Sequence, residues 1–129
     1  MLEDYITKTD AMTGFDDSQP IFLQIRDRLS AMILSGGVGE GEALPSVRAI
    51  AADLSVNPLT VTRAYERLVD LGVVETRRGL GMFVAHGARV RLLAHEREKF
   101  LAEEWPRIRA RMKTLQLDPA DLLSRDDPK

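Results

Sequence analysis

The chain has 129 residues, 44% of them hydrophobic, and a formal net charge of −2 at pH 7. This length suits one compact domain with a small appendage, and the absence of cysteine excludes disulfides, thiolate metal sites and a cysteine nucleophile. No apolar run is long enough for a membrane span, and the start MLEDYITKTD lacks a signal sequence. We therefore expect a cytoplasmic protein without membrane contact.

The charge is unevenly distributed along the chain. Residues 1–20 carry five acids and one lysine, whereas residues 21–86 carry seven arginines and seven acids. The remainder, residues 87–129, carries ten basic and eight acidic side chains. Net charge is therefore a poor guide to any local binding face. The polar start predicts a mobile acidic leader over residues 1–19.

The first helix is predicted from apolar residues that recur at helical spacing over about residues 20–35. Pro20 suits its start, and Gly36 suits its end because glycine tolerates the left-handed backbone of a C-cap. The stretch that follows, residues 38–44, predicts a loop. A phosphate-binding role for this loop is disfavoured, because it lacks the lysine and Ser/Thr of a P-loop and carries two glutamates.

Two further helices follow, joined by a tight turn. Ser46 suits the N-cap of a helix over about residues 46–54. Asn57, followed by proline, suits the N-cap of another helix over about residues 57–71, which Gly72 ends. The second of these helices carries polar side chains at its leading end. This order predicts a helix-turn-helix.

A glycine-bounded hairpin is predicted directly after these helices. Residues 73–76 and 82–85 have the pattern of two short strands, and residues 77–81, with the sequence RRGLG, join them. The two arginines put positive charge where the tip of the hairpin projects. The hairpin is therefore predicted to form a wing.

A long amphipathic helix is predicted from Gly87 onward, bent or broken near Pro106 and followed by a short helix near residues 119–125. Its apolar face needs a partner surface. It can fold back on the first domain or pair with the same arm of a second copy, and we favour the homodimer. The predicted dimer-interface residues are Leu93, Phe100, Leu101, Trp105, Ile108, Met112 and Leu115.

The segments LPSVRAIA, VNPLTVTRAY and GLGMFV resemble the N-terminal DNA-binding domain of the GntR family of bacterial transcription regulators. The resemblance covers about residues 20–85. The short remainder after His86 resembles the YtrA-like branch, whose short helical tail dimerises. The implied fold is mainly α with a small β-hairpin, namely a winged helix-turn-helix domain over residues 20–86 and a C-terminal helical dimerisation arm over residues 87–129.

The resemblance also implies a function and a set of contact residues. The chain is expected to be a sequence-specific, homodimeric transcription regulator, in particular a repressor, that binds a pseudo-palindromic double-stranded DNA operator. Its third helix would lie in the major groove and its wing at the minor groove. Leu59 departs from the asparagine that many relatives have. It cannot hydrogen-bond a base, though it could contact a thymine methyl. The residues implied to contact DNA are Ser46, Arg48, Asn57, Leu59, Thr60, Thr62, Arg63, Arg77, Arg78, Gly79 and Gly81.

Other functions are weighed against DNA binding. A winged helix also serves as a protein–protein interaction module, and acids such as Asp53 or Glu75 neutralising the arginines would favour that alternative. An enzyme is disfavoured, because His86 and His95 lack metal-ligand spacing and a nearby triad, and no cofactor is expected. A small-molecule effector, held in an apolar crevice near Trp105, is left open.

Overall fold

The computed structural model describes residues 15–125, so most of the predicted leader and the last four residues lie outside the described chain. The described chain is mainly helical with one two-stranded antiparallel sheet, which confirms the predicted fold class. It forms two compact units that divide between Leu93 and Ala94. Within the described part, no helix combines the length and hydropathy needed to cross a membrane.

The elements of the first unit follow the predicted order. Gly36 and Gly72 end the first and third helices at φ values of 86° and 75°, a left-handed conformation that glycine adopts without a steric cost. A further helix, α4 (Ala88–Lys99), begins in the first unit and ends in the second. The other elements are α1 (Ile21–Leu34), α2 (Val47–Leu54), α3 (Pro58–Asp70), β1 (Val74–Arg77) and β2 (Gly81–Val84).

Side-chain caps begin α2 and α3, as the sequence predicts. The Ala49 N–H donates to Ser46 Oγ at 3.0 Å, and the Leu59 N–H donates to Asn57 Oδ1 at 2.8 Å. Each bond satisfies a backbone donor that has no partner within the helix. Ser55 makes the turn between the two helices in the left-handed conformation, with φ of 55°.

The core of the first unit joins all of its elements. Ala88 and Leu92 of α4 are fully buried in it. They lie four residues apart and therefore on one face of the helix, so the first unit extends past residue 86. The largest fully buried side chains are Ile25, Leu29, Ile33, Ile50, Val61, Tyr65, Leu68, Val73, Val84 and Leu92.

Both strands of the hairpin lie one residue nearer its tip than predicted. Val74 pairs with Val84 and Arg77 with Gly81, so the loop contains residues 78–80. The Leu80 N–H donates to the Arg77 carbonyl at 2.8 Å. Gly79 lies at the third position of this turn with φ of 76°, as a type II turn requires.

The predicted loop before α2 also bonds to β2. The Gly41 N–H donates to the Val84 carbonyl at 2.8 Å, and the Leu44 N–H donates to the Met82 carbonyl at 2.8 Å. Ala43 forms an antiparallel bridge with the strand between these two bonds. Residues 38–44 form the predicted loop, with one bridge residue at Ala43. The bonds to β2 were not predicted, because the partner strand lies some forty residues further along the chain and the segment has no alternating apolar pattern of its own.

The end of the predicted leader packs on α1. The Gln24 side chain is buried, and its Nε2 donates to the carbonyls of Asp16 at 2.8 Å and Gln19 at 2.7 Å. The Arg28 guanidinium lies over the Phe15 ring, 4.4 Å from its centroid. These contacts join residues 15–19 to α1, ahead of the predicted domain start at residue 20.

The second unit continues α4 through a π-helical turn, Phe100–Glu104, into α5 (Trp105–Thr114), and it ends with α6 (Pro119–Leu123). The Trp105 N–H bonds to the Phe100 carbonyl five residues back. A proline ring crowds the carbonyl four residues before it. The wider turn relieves that crowding at Pro106, so the helical path is widened near Trp105 without a break.

Candidate nucleic-acid interface

The first turn of α2 presents two of the predicted contact residues. Arg48 is exposed and has no hydrogen bond or ion pair with any described residue. Ser46 uses its oxygen lone pair as the N-cap, which leaves the hydroxyl hydrogen as a donor. A free guanidinium beside a free hydroxyl donor suits an anionic or hydrogen-bond-accepting partner.

The leading end of α3 carries the next group. The buried residues Val61, Ala64, Tyr65 and Leu68 define the core face of this helix. Leu59 points nearly opposite to that face, because successive helical residues are about 100° apart. Three other predicted contact residues lie close to it: Asn57, exposed at the cap, and Thr60 and Thr62, half-buried on the two flanks of the helix.

Arg63, which lies one turn after Leu59, is engaged within the domain. Its guanidinium lies 4.2 Å from the centroid of the Phe22 ring on α1, with Arg67 behind it at 5.3 Å. An exposed cation–π contact is worth about 0.5–1 kcal/mol. The described position of Arg63 therefore serves the packing of α3 on α1.

The wing presents one free arginine and one paired arginine. Arg78 is exposed at the tip and has no partner in residues 15–125. Arg77 lies over the Phe83 ring at 4.1 Å and forms an ion pair with Glu75 at 2.9 Å. Because both partners are partly exposed, this pair is worth about 0–1 kcal/mol. A phosphate could therefore replace the Glu75 carboxylate at small cost.

Two hydrogen bonds tie these elements together at Leu44 and Pro45. The Leu44 N–H bonds to Met82 of β2, and the buried Tyr65 hydroxyl of α3 donates to the Pro45 carbonyl. Burial raises the pKa of Tyr65 well above its usual range, so the hydroxyl stays a donor. We call this dipeptide the Leu44–Pro45 junction. It leads directly into Ser46 and so holds the start of α2 against both α3 and the wing.

Sequence reasoning placed Tyr65 in the core but missed this bond. A buried tyrosine hydroxyl almost always finds a partner, and that rule was the available signal. Sequence reasoning also missed the roles of Arg89 and Arg91. Arg91 Nε donates to the Gly72 carbonyl at 3.0 Å, and Arg89 Nε donates to the Leu34 carbonyl at 3.2 Å. These two arginines hold helix ends inside the first unit.

The distribution of acids favours an anionic partner. Between Ala43 and Tyr65 the only acid is Asp53, and residues 76–85 contain none. Asp53 makes no ion pair with an arginine in the described chain. The leading end of α3 also carries the positive end of the helix dipole. Of the two acids expected to neutralise this surface, only Glu75 pairs with an arginine.

The predicted interface residues of the tail are largely uncovered in a single chain. None of the described residues from 94 to 125 is fully buried. From Leu101 to Leu115 the apolar residues are spaced by four, three, four and three, which is the seam spacing of paired helices. Six predicted residues are exposed or half-exposed in this unit, namely Phe100, Leu101, Trp105, Ile108, Met112 and Leu115, and Leu93 is exposed at the end of the first unit.

Three helices followed by a hairpin, with the second and third helices joined by a tight turn, define a winged helix-turn-helix domain. The model of bacterial regulatory proteins of the gntR family matches residues 22–84. A GntR family transcriptional regulator from Listeria monocytogenes has a similar solved structure, with a TM-score of 0.70 and 32% identity over 85% of this chain and 95% of that one. The chain belongs to the GntR family.

Two curated relatives come from Bacillus subtilis. The uncharacterized HTH-type transcriptional regulator YhcF is 43% identical over 76 residues, and the HTH-type transcriptional repressor YtrA is 38% identical over 76 residues. Each match covers 59% of this chain, and it spans 63% of YhcF and 58% of YtrA. These relatives confirm the predicted resemblance to the YtrA-like branch. They are regulators, which agrees with the prediction that the chain is not an enzyme.

Proposed function

We propose that the chain is a sequence-specific DNA-binding transcription regulator that acts as a homodimer. The observation that carries this proposal is the Leu44–Pro45 junction, which fastens the start of α2, α3 and the wing to one another. A sequence-specific DNA-binding protein needs such a fixed arrangement, because its contacts must match the spacing of the DNA grooves and backbone.

In the proposed complex the leading end of α3 enters the major groove. Asn57 keeps its side-chain amide hydrogens free while its oxygen caps the helix, so it can donate to a phosphate. Arg48 has the fork geometry that reads guanine through O6 and N7. Arg78 at the wing tip suits the negative potential of a narrow minor groove.

The homodimer follows from the uncovered tail. Trp105, Ile108 and Met112 lie on one stripe of α5, and none of them is buried in the single chain. Pairing this stripe with its copy about a two-fold axis would cover both stripes at once. Two domains related by that axis would read half-sites about one helical turn apart.

The proposed regulatory effect is repression, in the bacterial cytoplasm where the chromosome lies. It rests on the name of the YtrA relative, and on the general point that a protein bound over a promoter can block polymerase. A small-molecule effector near Trp105 is compatible with this scheme and is not required by it.

Fluorescence anisotropy on duplex DNA from upstream of its own gene tests the proposal. The expected result is tight binding that weakens steeply with salt and exceeds binding to an unrelated duplex. The alternative function, a protein–protein interaction module, would give equal and weak binding to both duplexes. The ion pair of Glu75 with Arg77 favours that alternative, and a genome-wide pull-down of bound fragments would then separate a different operator from a protein partner.

A further inference from the structure

The first unit leaves three large apolar side chains unusually exposed. Leu59 is 69% exposed, Leu80 is 72% exposed and Val90 is 73% exposed, whereas every other large hydrophobic side chain described in this unit is at most 43% exposed. Leu59 and Leu80 lie on the two elements proposed to enter the grooves. Leu59 is the one held at the leading end of α3.

The backbone around Leu59 is fixed without help from its side chain. The Asn57 side chain accepts a hydrogen bond from the Leu59 N–H. The residue before Leu59 is Pro58, whose ring fixes its own φ at the start of the helix. The apolar residues that fasten this end of α3 are Val56 and Val61, which flank the first turn and lie against or inside the core. The Leu59 side chain is therefore held at a defined position and makes no contribution to the core.

Leucine has one way to discriminate between base pairs in the major groove. It neither donates nor accepts hydrogen bonds, so the donor and acceptor edges of adenine, guanine and cytosine offer it nothing. Thymine alone adds an apolar group, the C5 methyl, to that groove. The group on the DNA that the Leu59 side chain can contact favourably is therefore a thymine methyl.

We infer that Leu59 is a specificity-determining residue, which selects a thymine in each half-site by packing on its C5 methyl. This inference rests on the proposed function, since it requires α3 to lie in the major groove. Removing one buried methyl group costs about threefold to fourfold in affinity. A dimer that loses two such contacts should lose about tenfold.

The test starts from selection on a library of random duplexes, which yields a motif of two half-sites if the chain is a sequence-specific regulator. Each thymine of the selected duplex is then replaced by deoxyuridine, which lacks only the methyl group. Fluorescence anisotropy compares the two duplexes for the parent chain, Leu59→Ala and Leu59→Asn. Val90→Ala, at an equally exposed site outside the proposed DNA contacts, is the matched control.

The inference predicts one thymine per half-site at which deoxyuridine weakens binding of the parent chain about threefold, and about tenfold when both are replaced. Leu59→Ala should abolish this difference, and the Val90→Ala control should keep it. Leu59→Asn should move the selected base toward adenine, which asparagine reads through N6 and N7. A motif with no methyl-sensitive thymine, or with sensitivity that persists in Leu59→Ala, would overturn the inference alone. Failure to select any motif would overturn the proposed function as well.

Discussion

The hydroxyl of Tyr65 donates a hydrogen bond to the carbonyl oxygen of Pro45, twenty residues earlier in the chain. Tyr65 is buried on the core side of α3, and Pro45 lies directly before the cap of α2. The bond therefore links the interior of the helix proposed to read bases to the start of the helix that carries Arg48. Because Tyr65 is packed in the core, this bond fixes the distance between α3 and the start of α2.

Replacing Tyr65 by phenylalanine should remove this link while keeping the ring in the core. We expect a loss of about 0.5–1.5 kcal/mol in the free energy of unfolding, measured by urea denaturation. Specific DNA binding should weaken more than binding to an unrelated duplex, because the register of α2 is loosened while the charges remain. Unchanged stability together with unchanged specificity would show that the core alone holds the junction.

Arg48→Ala should weaken binding to the specific duplex by about 1–3 kcal/mol, because a base contact through the guanidinium fork is lost. Arg48→Lys should recover little of this, since an ammonium group cannot form the fork. Arg97→Ala removes an exposed arginine of the second unit and serves as the control. Equal effects of Arg48→Ala and Arg97→Ala in an anisotropy titration would remove Arg48 from the interface.

Glu75→Gln should strengthen DNA binding. The substitution removes the carboxylate that now pairs with Arg77 at 2.9 Å, so Arg77 becomes available to a phosphate. The slope of log affinity against log salt should steepen by about one unit. Adding Arg77→Ala to the same chain should restore the parent slope. If the double variant keeps the steeper slope, Arg77 is not the group that Glu75 restrains.

Glutamate at both Phe100 and Ile108 should give a monomer that binds DNA poorly. Each charge would have to be buried without a partner at the proposed seam, which is strongly unfavourable. Static light scattering should report 14.4 kDa, with the circular dichroism of the folded chain kept. Val90→Glu, an equally drastic change at an exposed site outside the predicted interface, should leave the mass at twice that value. A dimer that survives the double change would place the interface elsewhere.

Local signals predicted the helix boundaries well. The caps at Ser46 and Asn57 depend on one side chain and the next few backbone groups. The stops at Gly36 and Gly72 depend on the φ freedom of a single residue. Such features are encoded within one turn of chain, so the sequence is sufficient to predict them.

Contacts between distant segments were not predictable in the same way. The bond from Leu44 to Met82 joins segments that share no local pattern. Arg63 has the same character in the sequence as Arg48, yet only Arg63 finds an aromatic ring on α1 within reach. Which arginines remain free for a partner is therefore decided by tertiary packing. The sequence identified the candidate arginines, but it could not separate those that are free for a partner from those that are engaged within the domain.

The central claim is that α2, α3 and the wing contact DNA as one face. The most direct test is a TROSY-NMR titration of the isotope-labelled chain with a duplex that carries its binding site. We expect amide resonances to shift together in the first turn of α2, the leading end of α3 and the wing tip, as reported by Arg48, Leu59 and Gly79. Amide resonances at the C-terminal end of α3, around Asp70, should not shift. Shifts confined to one of the three elements would contradict a shared contact face. DNA binding that leaves the resonances of all three elements unchanged would contradict it as well.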